Sequence, residues 1–114
     1  MDSRVIVGRV VSGLGDGRKF ISMPQYSEGL ERTLGAAPFP GTLNLRLERA
    51  ESLEEHTPVH IGGFREDGRD FGGLMLYRCR VNGINCAVVV PEKTGYGRDT
   101  LEIASPLELR KELK

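Results

Sequence analysis

Tryptophan is absent from this 114-residue chain, and the other aromatics amount to three Tyr and four Phe. The core must therefore be mainly aliphatic. No apolar run reaches the roughly 20 residues of a membrane-spanning helix. No N-terminal segment reads as a signal peptide, so a cytoplasmic protein with no membrane partner is expected. Charge of one sign is not in excess: Lys+Arg and Asp+Glu number 16 each. That balance argues against general nucleic-acid binding, and any phosphate must be gripped locally. The two Cys are too few for a disulfide framework, and without supporting histidines they do not make a zinc site. No Ser-His-Asp or Cys-His arrangement is visible. Internal repeats, linkers and low-complexity tracts are missing as well. Residues 1–114 therefore read as one domain, expected to be monomeric, with enough chain to build a core without staples.

What is present is strand and turn. Residues 4–11 are rich in β-branched side chains and read as a strand. Residues 20–23 (FISM) resume that pattern until Pro24. Tyr26, Leu30 and Leu34 are spaced by four, which predicts a short helix stopped by Gly35. Leu43, Leu45 and Leu47 alternate with Thr42, Asn44 and Arg46, so leucines and polar residues occupy opposite faces of a strand. Residues 51–61 are ambiguous: Ser52 and Glu55 fit a capping box, but Pro58 ends it.

Asp67-Gly68 and Asn82-Gly83 are two-residue hairpin turns. The first pairs Phe64 with Phe71, Arg65 with Asp70 and Glu66 with Arg69. The second pairs Val81 with Ile84, Arg80 with Asn85 and Cys79 with Cys86, and the two thiols are expected to be free. Residues 91–99 read as a loop and residues 100–104 (TLEIA) as a strand. Ser105, Pro106 and Glu108 read as the start of a C-terminal helix. On that helix Leu107 and Leu109 do not share a face. The sum is about seven short strands with two small helices, for which a closed or nearly closed barrel is favoured over an open sheet.

Three constellations can carry chemistry. Gly13-Leu14-Gly15-Asp16-Gly17-Arg18-Lys19 lets backbone N–H groups converge on an anion. Its spacing fits neither a Walker loop nor a dinucleotide fingerprint, and a flexible hairpin tip explains it equally. Thr42 and Asn44 carry hard oxygen donors suited to Mg²⁺, although an ordinary solvated strand face would look the same. As neutral ligands they need phosphates to bring the charge. Thr94 and Glu102 form the third set, with Glu102 pointing away from Leu101 and Ile103. His56 and His60 flank Pro58 and read as surface loop residues.

The order of these pieces resembles the archaeal CTP-dependent riboflavin kinases. The segments that carry the resemblance are residues 10–18 (VVSGLGDGR), 41–45 (GTLNL), 89–94 (VVPEKT) and 101–106 (LEIASP) with Leu109-Arg110. The resemblance implies a mainly β, cradle-loop (riboflavin-kinase-like) barrel that phosphorylates riboflavin at its ribityl 5′-hydroxyl, giving FMN and CDP. It implies that Gly13, Leu14, Gly15, Asp16, Gly17 and Arg18 wrap the nucleotide phosphates. Leu107, Glu108, Leu109 and Arg110 would line the nucleotide site. Thr42 and Asn44 would hold one Mg²⁺ that arrives with the nucleotide. Thr94 and Glu102 would meet the flavin, with Glu102 the candidate catalytic group. A turn and a final apolar strand are expected after the last helix, beyond Lys114, leaving a barrel edge unpaired here. The rival reading is a non-catalytic small-barrel module that binds a nucleotide or nucleic acid.

Overall fold

The computed structural model describes residues 5–12, 20–51, 53, 56–92 and 98–113, with only the backbone of Ala50, Glu51 and Arg98. In chain order the elements are β1 (Gly8–Val11), α1 (Pro24–Leu34), β2 (Leu43–Glu51), β3 (Val59–Ile61) and β4 (Phe64–Glu66). They continue with β5 (Arg69–Phe71), β6 (Leu74–Val81), β7 (Ile84–Pro91), β8 (Arg98–Ala104) and α2 (Leu109–Glu112). Six strands form one antiparallel sheet in the order β1-β2-β8-β7-β6-β3, and β4 pairs with β5 as a separate hairpin. Among the described residues no ladder joins β1 to β3. The ladders thus give a six-stranded antiparallel sheet, coarser than the closed barrel expected.

Both hairpins have the expected register. Asp67 and Gly68 have φ of 51° and 76°, and Asn82 and Gly83 have φ of 53° and 81°. A type I′ turn needs positive φ at both central positions, which Asn-Gly and Asp-Gly supply at least cost. In the outer hairpin the Phe64 and Phe71 rings stack at 5.1 Å, and Phe64 meets the edge of Tyr26 at 5.0 Å. Those contacts seat the hairpin on α1.

Helix α1 forms as the spacing predicts. Tyr26, Gly29, Leu30 and Leu34 make its buried stripe, and the Gly35 N–H closes it on the Glu31 carbonyl at 2.8 Å. Gly29 is a packing requirement: a methyl group there would lie 2.6 Å from Ile61 Cδ1. Residues 20–23 are not the expected strand. Phe20 and Ile21 are helical, and the Met23 N–H bonds to the Phe20 carbonyl at 3.0 Å. Four apolar residues are too few to tell strand from buried turn, and packing of Ile21 beneath α1 decides it.

The sheet buries apolar residues on both faces. On one face Leu74, Leu76, Ala87, Val89 and Ala104 pack with Tyr26, Leu30 and Leu34 of α1. On the other, Leu43, Leu47, Tyr77, Cys86, Val88, Val90, Leu101, Ile103 and Leu109 form a second core. Strand β7 has no polar face through its middle, because it is covered from both sides. Within the sheet, helix α1 packs mainly against β3, β6 and β7. Among the described residues, β1 and β2 add nothing to that α1 core and β8 adds only Ala104, so α1 leaves the rest of that face uncovered.

Candidate functional site

One cross-strand row crosses all six strands of the sheet: Val11, Asn44, Glu102, Val89, Leu76, Val59. Its right-hand members are core beneath α1. Asn44 and Glu102 lie directly opposite each other on β2 and β8, on the uncovered part of that face. Thr42 precedes β2, and its hydroxyl donates to Glu102 Oε2 at 3.2 Å. Thr42, Asn44 and Glu102 are all half-buried.

The local sequence explains this placement. Alternation along β2 commits Leu43, Leu45 and Leu47 to the second core, which turns Asn44 to the opposite face. Alternation along β8 does the same for Glu102 between Leu101 and Ile103. Gly41 adopts φ of 148°, a region L side chains rarely enter, and so delivers the chain from Pro40 into β2. The Phe39 N–H anchors the approach by bonding to the Ser105 carbonyl at 2.7 Å.

A hydroxyl that donates its proton to Glu102 keeps its lone pairs for a cation. With the Asn44 amide oxygen and the Glu102 carboxylate beside it, the donor set is all oxygen and suits Mg²⁺. Among the described residues no cluster of three or more His, Cys, Asp or Glu can hold a metal by itself. An ion here would need phosphate oxygens to complete its charge. Two residues further along the strands, Arg9 and Arg46 face each other directly, with Thr100 beyond Arg46. Like charges in that position repel, and both arginines are exposed on the same face as Asn44.

The C-terminal segment reaches this site from the side. Arg110 donates to the carbonyl of Val11 at 2.9 Å, and Val11 is the residue opposite Asn44. Leu109 is buried in the second core and offers a ligand only backbone, whereas Leu107 is 45% exposed. Glu108 lies 3.5 Å from Lys111 Nζ. The expected capping box does not form. Helix α2 begins at Leu109 with Glu108 as N-cap, because the Ser105 hydroxyl is occupied by the Leu107 N–H at 3.0 Å. Gly13, Leu14, Gly15, Asp16, Gly17, Arg18 and Thr94 lie outside the described residues, as do Ser52 and Glu55.

Sequence reasoning missed three things here. It placed Glu102 with the flavin but not against Thr42. It did not foresee the buried role of Ser105. It also read His60 as a loop residue, whereas His60 lies on β3 with Nε2 3.1 Å from Glu92 Oε2. The thiols are free as expected, Cys79 opposite Cys86. Burial and then the neighbouring Cys86 push the Cys79 thiol up to about 12, and burial raises Cys86 as well. No helix among the described residues is long and apolar enough to cross a membrane.

Comparison with known proteins follows the same lines. The family model named CTP-dep_RFKase, described as a domain of unknown function (DUF120), matches residues 10–114. The chain belongs to the CTP-dependent riboflavin kinase family. It is 43% identical over 113 residues to the riboflavin kinase of Methanoculleus marisnigri, covering 95% of this chain and 51% of that protein. It is 46% identical over 110 residues to that of Methanopyrus kandleri, covering 96% and 74%. Against the riboflavin kinase of Methanococcus maripaludis it is 42% identical over 111 residues, covering 93% and 87%. The chain thus spans about half the length of several of the riboflavin kinases it matches, and most of others.

Proposed function

We propose that this chain transfers the γ-phosphoryl group of CTP to the ribityl 5′-hydroxyl of riboflavin, giving FMN and CDP. The observation that carries the reading is the Thr42–Glu102–Asn44 cluster on the uncovered part of the sheet, in a chain of this family. In the reaction the riboflavin oxygen bonds to the γ-phosphorus and the bond to the β–γ bridging oxygen breaks. CDP leaves with the electron pair, and the hydroxyl proton passes to a nearby base or to solvent.

Such transfers ask the protein mainly for position and charge neutralisation. Thr42 and Asn44 would hold Mg²⁺ delivered with the nucleotide, and the ion would neutralise phosphate charge. Glu102 accepts one hydrogen bond from Thr42, and a carboxylate has further lone pairs with which to orient the ribityl hydroxyl. The Gly13–Arg18 segment follows directly from β1, whose Val11 is opposite Asn44. That adjacency supports a role in holding the nucleotide phosphates, with residues 107–110 on the nucleotide side and Thr94 on the flavin side. The sheet, which carries an apolar core on each face, is compatible with the cradle-loop barrel of the family as a single monomeric domain.

The test is a mass or thin-layer assay of riboflavin with CTP and with ATP. FMN formed with CTP supports the reading. Wild-type protein that binds CTP without turnover would return it to a nucleotide-binding module.

A further inference from the structure

Ser105 is the one fully buried polar residue among the described residues, at 2% exposure. A buried hydroxyl must be hydrogen-bonded to be tolerated. Its oxygen accepts from the Leu107 N–H at 3.0 Å, across Pro106. Pro106 has a fixed φ and no N–H, so this short turn has little freedom. The hydroxyl also lies against the Cys86 thiol and partly offsets the effect of burial on it. The Ser105 carbonyl accepts from the Phe39 N–H at 2.7 Å, three residues before Thr42.

These contacts are part of a closed circuit. From Ser105 one arm runs through Leu107 to Arg110, whose guanidinium holds the Val11 carbonyl. Val11 is opposite Asn44. The other arm runs from Phe39 to Thr42, which bonds to Glu102 opposite that same Asn44. Ser105 is where the two arms meet, and it lies in the core rather than on the open face.

We propose that Ser105 is a positioning residue that sets the backbone of residues 107–110 against the Thr42–Asn44–Glu102 cluster and so governs nucleotide affinity. This rests on the reading given under Proposed function. Ser105→Ala removes the acceptor of the Leu107 N–H and keeps the carbonyl bond to Phe39. Its KM for CTP, and its Kd for CTP measured by calorimetry without riboflavin, should rise about tenfold, the scale of one hydrogen bond. Its KM for riboflavin should not move. Ser105→Cys keeps a weak acceptor of similar size and should fall between. Thr33→Ala is the control for a structural effect alone, because it deletes a hydroxyl bond to the Gly29 carbonyl inside α1, away from the site. It should leave both constants unchanged. Ser105 variants that bind CTP like wild type, or that raise both KM values equally, would overturn the inference. Wild type that bound no CTP would instead overturn the functional reading on which it stands.

Discussion

On the α1 side of the sheet, the part over β3, β6 and β7 carries Ile61, Leu74, Leu76, Ala87 and Val89, packed under Tyr26, Leu30 and Leu34. On the same side, the part over β1, β2 and β8 carries Arg9, Asn44, Arg46, Thr100 and Glu102. A single row passes from one part to the other, and polarity switches between Glu102 on β8 and Val89 on β7. The second face shows no such switch: from Leu43 and Leu47 to Val88 and Val90 it is apolar. The polar residues of the open part are therefore not what this sheet needs in order to fold. The strands are held there by their other face, which leaves the open part free to carry a site.

That contrast makes damage separable, and the largest effect should fall on the covered part. Leu76 is wholly buried beneath α1. Leu76→Ala should cost about 2–5 kcal/mol of stability, read by denaturant unfolding, while the folded fraction keeps its KM for CTP. On the open part the effects reverse. Asn44→Ala should lower turnover by at least ~100-fold, the scale of one well-placed electrostatic stabiliser, with an unchanged unfolding midpoint. Gly29→Ala returns to the covered part: although Ala favours helix, the added methyl meets Ile61, and a loss of about 1–3 kcal/mol is expected from overpacking. The smallest effect concerns the second core. With the Cys79 thiol pushed up to about 12, little thiolate exists at pH 8. Alkylation in the native state should be much slower than that of a free thiol and should accelerate as pH rises toward that value. Rapid labelling at pH 8 would mean that this face opens.

The legible parts of the fold were those with local causes. Asn82-Gly83 and Asp67-Gly68 fix both hairpins, because few other pairs accept positive φ twice. The spacing of Tyr26, Leu30 and Leu34 marks α1, and alternation marks β2. What escaped depends on distant partners. Thr42 and Glu102 are 60 residues apart, and nothing in either segment announces that β2 pairs with β8. Strand β3 has only three residues beside Pro58 and exists because β6 offers it an edge. The C-terminal helix starts late because the Ser105 hydroxyl serves a turn in the core instead of a helix end. Of the candidate site, Thr42 and Asn44 were readable as oxygen donors on one face. That Glu102 stands between them and the covered core was not.

The central claim is that this open patch binds a cation together with the nucleotide during phosphoryl transfer. Its direct test is CTP-dependent FMN formation as a function of Mg²⁺ concentration in wild type and Thr42→Val. The substitution keeps the shape of the side chain and deletes only the hydroxyl that bonds Glu102. The account predicts that the variant needs more Mg²⁺ and reaches a lower maximal rate, with unchanged stability. Overlapping curves for the two proteins would contradict it and make this strand an ordinary solvated surface.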